Sequence, residues 1–224
     1  MNTPTHAVLG AALFARGERR ARLAPAVIGA VLPDVPMYVL FAVATVVWRQ
    51  PQAVTWGRTY FEPGWQHAVD ALHSFPLLGA ALVATYVTSR RPRPARAARG
   101  PVPPWRVWAR VAFASALLHA AADFLVHADD AHHHLWPLSD WRFVSPVSYW
   151  DPRHHGLLFA PLECLGAFAL LPTVWRATVR RAARAAVLIL AVAYATGGVL
   201  SVARLFAVRA TRPGSFQGAL TGRH

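Results

Sequence analysis

His119, Asp123 and His127 recur at every fourth residue within the stretch LLHAAADFLVHADDAHHH, residues 117–134. On a helix this spacing stacks all three side chains on one face. Imidazole nitrogens and carboxylate oxygens are the donors that zinc and similar divalent ions accept. The stretch also closes an apolar run. At membrane depth an ionisable group costs a few kcal/mol unless it is paired, hydrated or bound, so such groups are functional candidates. The plainer alternative is a helix end surfacing into water with its histidines solvated.

The rest of the chain sets the context. It has 224 residues, of which 55% are hydrophobic and 15% charged. That balance predicts an all-α, multi-pass transmembrane helical bundle. All 23 basic residues are arginine, and the net charge is +13. The arginines fall in short segments between apolar runs, a topology signal that speaks against nucleic-acid binding. Cys164 is the only cysteine, so no internal disulfide or cysteine-based zinc site is possible. The first ten residues, MNTPTHAVLG, lack the basic region of a cleaved signal peptide and are expected to be retained.

Five to six apolar helical segments are expected within one domain, 1–224. Thr5 to Ala15 is too short to span alone. Leu23 to Trp48 is long enough but is broken at Pro33–Pro36, because proline interrupts the hydrogen-bond ladder. Further segments run from Leu72 to Val87, Val107 to Val126, Gly156 to Trp175 and Ala185 to Phe206. Arginine clusters at 16–22, 90–110 and 176–184 occupy alternate connections, as the positive-inside rule requires of cytoplasmic loops. Residues 89–106 therefore read as an Arg/Pro-rich cytoplasmic loop and 128–155 as an aromatic, His-rich non-cytoplasmic loop. The expected location is a membrane crossed several times, with the bilayer as partner and the oligomeric state open.

Depth can be counted from those arginines at about 1.5 Å per residue. His6 lies about 15 Å in, Asp34 about 18 Å, and His119 and Asp123 about 14 and 20 Å. His73, counted from Arg90, lies about 25 Å in, close to His127. Separate segments thus carry ionisable residues into one layer, between the membrane middle and its non-cytoplasmic surface. Opposite charges around a shared cation satisfy one another where isolated ones are costly.

The expected metal ligands are His6, Asp34, His73, His119, Asp123 and His127. Asp34, on the broken helix, either binds the metal or orients water, or simply caps the helix restarting at Pro36. Ser74 is expected to bond a neighbouring ligand. Three consecutive histidines cannot share a helix face, so no more than one or two of His132, His133 and His134 are expected to bind. Glu163 enters the same layer, either joining the site or bonding a backbone carbonyl. His67 and Asp70 are ambiguous. Asp151, His154 and His155 stand at the mouth of the layer, in an aromatic segment that reads as an interfacial belt or as a lid over an amphipathic substrate.

The ordered elements Thr5-His6 with Gly10, Gly29-x-x-Leu32-Pro33-Asp34, His73-Ser74 and His119-x-x-x-Asp123 resemble bacterial inner-membrane metal-dependent hydrolases, a group distantly similar to zinc-dependent phospholipase C. The likeness spans residues 5 to about 134. It implies a helical fold, a bound divalent metal, and hydrolysis of a phosphodiester or related ester, with His6, Asp34, His73, His119 and Asp123 at the metal. Relatives often carry His-Arg before the His-Ser pair, whereas here the preceding histidine is His67, six residues upstream and without a following arginine.

The expected function is a membrane hydrolase acting on a small-molecule or lipid substrate through a metal-activated water, with Zn²⁺ the leading ion. No Gly-x-Ser-x-Gly elbow is present, which excludes the commonest serine-nucleophile arrangement. The rival is a metal-ion or proton transporter using the same His/Asp layer, favoured by the broken helix but lacking a visible internal repeat. A non-enzymatic membrane protein whose histidines sense pH is the third reading.

Overall fold

The computed structural model describes residues 1–87 and 104–210, and these are helical with no strands. The expected cytoplasmic loop at 89–106 lies almost wholly outside the described residues.

The first helix, α1 (Thr3–Phe14), has 12 residues, too few to span a bilayer. α2 (Leu23–Val31) runs into a tight turn at Leu32–Asp34, and α3 (Val35–Ala42) continues from it. Pro33 and Pro36 have no N–H to give, so the ladder loses bonds there and the backbone tightens into a 3₁₀ turn. The break expected at Pro33–Pro36 is thus a local tightening within one apolar stretch, Arg19–Val47. The short α4 (Gln52–Gly57) leads to α5 (Pro63–His73) and α6 (Phe75–Val87).

Ser74 separates α5 from α6, and the two meet at a 42° bend. The serine is extended (φ −69°, ψ 118°), and its Oγ accepts the Leu77 N–H at 3.1 Å, the bond a helix N-cap makes. Pro76 in the first turn needs no donor and fixes the new helix start. His73 therefore closes α5, and of the segment expected from Leu72 to Val87 the helix α6 takes up only Phe75 onwards.

Three more helices follow: α7 (Pro104–Phe124), α8 (Gly156–Ala177) and α9 (Arg181–Ala210). Arg19–Val47, Gly156–Ala177 and Arg181–Val208 are long and apolar enough to cross a membrane, and α5 with α6 makes a fourth if the bent pair is one span. The apolar segments expected are helical, but among the described residues only three, or four with the bent pair, are long and apolar enough to span. α1 is short, and α7, carrying Arg106, Arg110, His119 and Asp123, falls below the required apolarity.

Small residues let the inner helices approach closely. A Cβ on Gly29 would collide with the Ala112 carbonyl group, and one on Gly10 with Ser115 Oγ. α1 packs Val8, Ala11 and Ala12 against Ala167, Leu171 and Val174 of α8 and Val187 and Tyr194 of α9. On the outside, Leu162, Leu165, Leu188, Ile189, Val192 and Val199 are each more than half exposed. Such a surface is costly in water and suited to lipid.

Candidate metal centre

α7 supplies the axis of the site. Its small residues bring α2 close enough for Ser115 Oγ to donate to the Ala26 carbonyl (2.6 Å) and for His119 Nδ1 to lie 2.6 Å from the Ala30 carbonyl. One turn on, Asp123 is 1% exposed, and His127 follows where the helix has just ended. From α5, His73 places Nδ1 2.9 Å from the Val69 carbonyl. α1 brings His6, whose ring stacks on His119 at 3.6 Å.

A backbone carbonyl can only accept, so Nδ1 carries the proton in both His73 and His119, leaving Nε2 as a bare lone pair. Those Nε2 atoms lie 3.5 and 3.0 Å from Asp123 Oδ2, and His119 Nε2 lies 3.6 Å from Asp34 Oδ1. Neither Nε2 has a hydrogen-bond partner, and both are buried. Lone pairs facing carboxylate oxygens at such distances repel unless a cation lies between them. Protonating both rings instead would bury two imidazolium charges with ring centres 5.1 Å apart. The donors Asp34, His73, His119 and Asp123 lie within 4.8 Å of one another, as do Asp123, His127 and His132. Donor chemistry, burial and the orphaned nitrogens all fit a divalent cation.

The loop after α7 completes the cluster. His132 is 4% exposed, and its ring centre lies 4.1 Å from that of His73 and 4.9 Å from that of His127. Burial, then the neighbouring His73 and His127, hold His132 well below the usual imidazole range, so it is neutral and able to donate a lone pair. Burial and His73 push His134 down to about 4. Burial alone would lower His127, but Asp123 and Asp130 beside it raise it to about 9. The segment is irregular, not helical, so alternate residues turn the same way: His132 and His134 face inwards while His133 turns to Asp70.

A family model described as YdjM inner membrane protein matches residues 1–206. The chain belongs to the YdjM inner membrane protein family. Membership agrees with the inner-membrane part of the resemblance drawn from the short motifs. No curated protein and no solved structure matches the chain.

The six expected ligands, His6, Asp34, His73, His119, Asp123 and His127, come together in the structure. His6 Nε2 lies 2.9 Å from Asp123 Oδ1, and the Met1 nitrogen approaches the same oxygen at 2.5 Å, although His6 is in neither donor group. Asp34 accepts a hydrogen bond from Thr3 through Oδ2, which leaves Oδ1 towards His119. It does not cap α3 with its side chain.

Other expectations resolve differently. Ser74 bonds no ligand: its Oγ donates to the Trp136 carbonyl (2.5 Å) and caps α6. Glu163 accepts from the Asn2 backbone N–H (2.8 Å) and side-chain amide (3.1 Å), so it fastens the start of α1 and accepts where carbonyl bonding had been considered. His67 stands beside Trp136 at 6.3 Å, apart from the centre. Asp129, Asp151 and His154 form an outer group, but Arg153 already reaches Asp129 (2.5 Å) and Asp151 (2.8 Å) there.

A cavity of about 510 Å³ opens beside the centre. His127 and His132 line it together with Trp56, Tyr60, Tyr149 and Trp150. Of the aromatic residues in the 128–155 loop, Tyr149 and Trp150 therefore form part of the wall of this cavity. The contribution of His132 was undecided in the sequence because helical periodicity was the wrong template for an irregular loop; spacing by two was the available signal.

Proposed function

We propose that this chain is a multi-pass, membrane-embedded metal-dependent hydrolase acting on a lipid-derived phosphodiester or related ester, with its site towards the non-cytoplasmic side. The observation that carries the reading is the pair of bare, buried Nε2 atoms of His73 and His119 set against Asp123 and Asp34. Zn²⁺ suits a set made only of imidazole and carboxylate donors. Held there, such an ion would supply Lewis acidity and bring the pKa of a water towards neutrality.

The chain's own residues do the rest. His119 and His73 are locked in one tautomer by the Ala30 and Val69 carbonyls. Asp34, with one oxygen tied to Thr3, keeps the other free towards the centre, to bind or to orient water. Trp56, Tyr60, Tyr149 and Trp150 give the cavity apolar walls for the non-reacting part of a substrate. Phe41 of α3, partly exposed, stacks on the cavity residue Trp56 with ring centres 6.0 Å apart. The likeness to zinc-dependent phospholipase C rests on motif order alone and forms part of this proposal.

The Leu32–Asp34 turn inside an apolar stretch favours the transporter reading. Against it, α7 carries no ionisable residue between Arg110 and His119, so the layer does not continue towards the arginine-rich side. The test sets purified protein with Zn²⁺ against phosphodiester and phospholipid substrates, and measures ion uptake into proteoliposomes in parallel. Chelator-sensitive turnover that is lost in His119→Ala supports the hydrolase. Ion uptake without turnover supports the transporter.

A further inference from the structure

We infer that the centre takes two inequivalent divalent cations bridged by Asp123, a closed position at Asp34, His73 and His119 and an open one at His127 and His132, and that substrate is received at the open one. This rests on the metal-dependent reading above and adds how many ions bind, which residues hold each, and which one faces the substrate.

The two oxygens of Asp123 face different partners. Oδ2 is turned to His119 (3.0 Å) and His73 (3.5 Å), whereas Oδ1 is turned to His127 Nε2 (3.4 Å) and also to His6 Nε2 (2.9 Å) and the Met1 nitrogen (2.5 Å). Two donor groups share this one carboxylate: Asp34, His73, His119 and Asp123 on one side, Asp123, His127 and His132 on the other. A single ion would satisfy one group and leave the other orphaned. His127 Nε2 and His132 Nδ1 are buried without hydrogen-bond partners, as are His73 Nε2 and His119 Nε2. Each oxygen of Asp123 thus faces unpartnered imidazole nitrogens, His73 and His119 at Oδ2 and His6 and His127 at Oδ1, the arrangement a bridged pair requires, with the Met1 amino group holding Oδ1 until a cation takes its place.

The positions differ in completeness and access. The first has four protein donors, with both imidazoles held by backbone carbonyls within the helical framework. The second has three, two of them from the loop beyond α7. Closed four-ligand sites are characteristically structural, and sites with three protein ligands keep a place for water or substrate. Only His127 and His132 among these donors line the 510 Å³ cavity. The cavity wall also reaches the open site from behind: Trp150 Nε1 donates to Asp130 Oδ2 (3.2 Å), and Asp130 Oδ1 lies 3.2 Å from His127 Nδ1.

The test is a Zn²⁺ titration of the full chain in detergent after chelator stripping, with bound zinc counted by elemental analysis after gel filtration. Two equivalents are expected, in a tighter and a weaker class. His132→Ala and, separately, His127→Ala should each lose the weaker equivalent and keep the tighter one. Having two such variants guards against one that fails to fold, and an unchanged elution volume shows folding. His73→Ala should instead remove the tighter class. One equivalent in the parent, or two equivalents surviving in both His127→Ala and His132→Ala, overturns the inference and leaves the metal-dependent reading standing. No bound zinc in the parent overturns both.

Discussion

Asp70 spends both carboxylate oxygens on His133, one accepting its backbone N–H at 2.9 Å and the other lying 2.8 Å from its Nδ1. Asp70 is 1% exposed. Its neighbourhood holds the same loop twice more, through Ser74 Oγ to the Trp136 carbonyl and through the Phe75 N–H to the His134 carbonyl at 2.8 Å. Four bonds from α5 and the corner before α6 thus fix the segment that presents His132. In Asp70→Ala two donors lose their acceptor, at a cost of about 1–3 kcal/mol. The expected result is a lower melting temperature in detergent together with weaker Zn²⁺ binding. An unchanged melt would show that the corner does not hold the loop.

Ser74 has a structural task in this geometry. Ser74→Ala should cost about 1 kcal/mol through loss of the cap, and the protein should keep its metal content. Zinc per polypeptide and thermal melting check this together. Loss of metal at an unchanged melting temperature would return Ser74 to the site.

Gly29 and Gly79 make a matched pair. A Cβ at Gly29 meets the Ala112 carbonyl group, whereas at Gly79 it meets nothing within 4 Å. Gly29→Ala must push α2 from α7, costing about 1–3 kcal/mol and disturbing the contact from His119 to Ala30. Gly79→Ala, inside α6, should be neutral or stabilising by up to about 1 kcal/mol. Melting curves of the two variants should therefore shift in opposite directions, or Gly29→Ala alone should shift.

Glu163 anchors α1 through both carboxylate oxygens. Glu163→Ala is expected to lower stability by removing the acceptor for Asn2. With Zn²⁺ in excess, its metal stoichiometry should equal that of the parent. A lost equivalent under those conditions would place Glu163 among the ligands.

Much of the centre was legible because its spacing is local. His119, Asp123 and His127 follow one helical face, and depth counted from the arginines placed His6, Asp34 and His73 in their layer. What remained hidden depends on how distant segments return to one another. The inward turn of His132 needs an irregular loop, and Asp70 acquires its partner only when that loop folds back onto α5. Ser74 looked like a neighbour of the site from its place beside His73, but its oxygen follows the requirements of a helix start. The apolar segment expected at α7 is a helix, yet the arginines and candidate ligands it carries keep it below the apolarity of a membrane span.

The central claim is that Asp123 sits at the heart of a metal centre. Its most direct measurement is the metal content per polypeptide of detergent-purified protein, by elemental analysis, for the parent and Asp123→Ala side by side. A stoichiometric divalent metal in the parent that is lost in Asp123→Ala is the predicted result. A parent without metal, or a folded Asp123→Ala variant that retains the parent's full metal content, would contradict it.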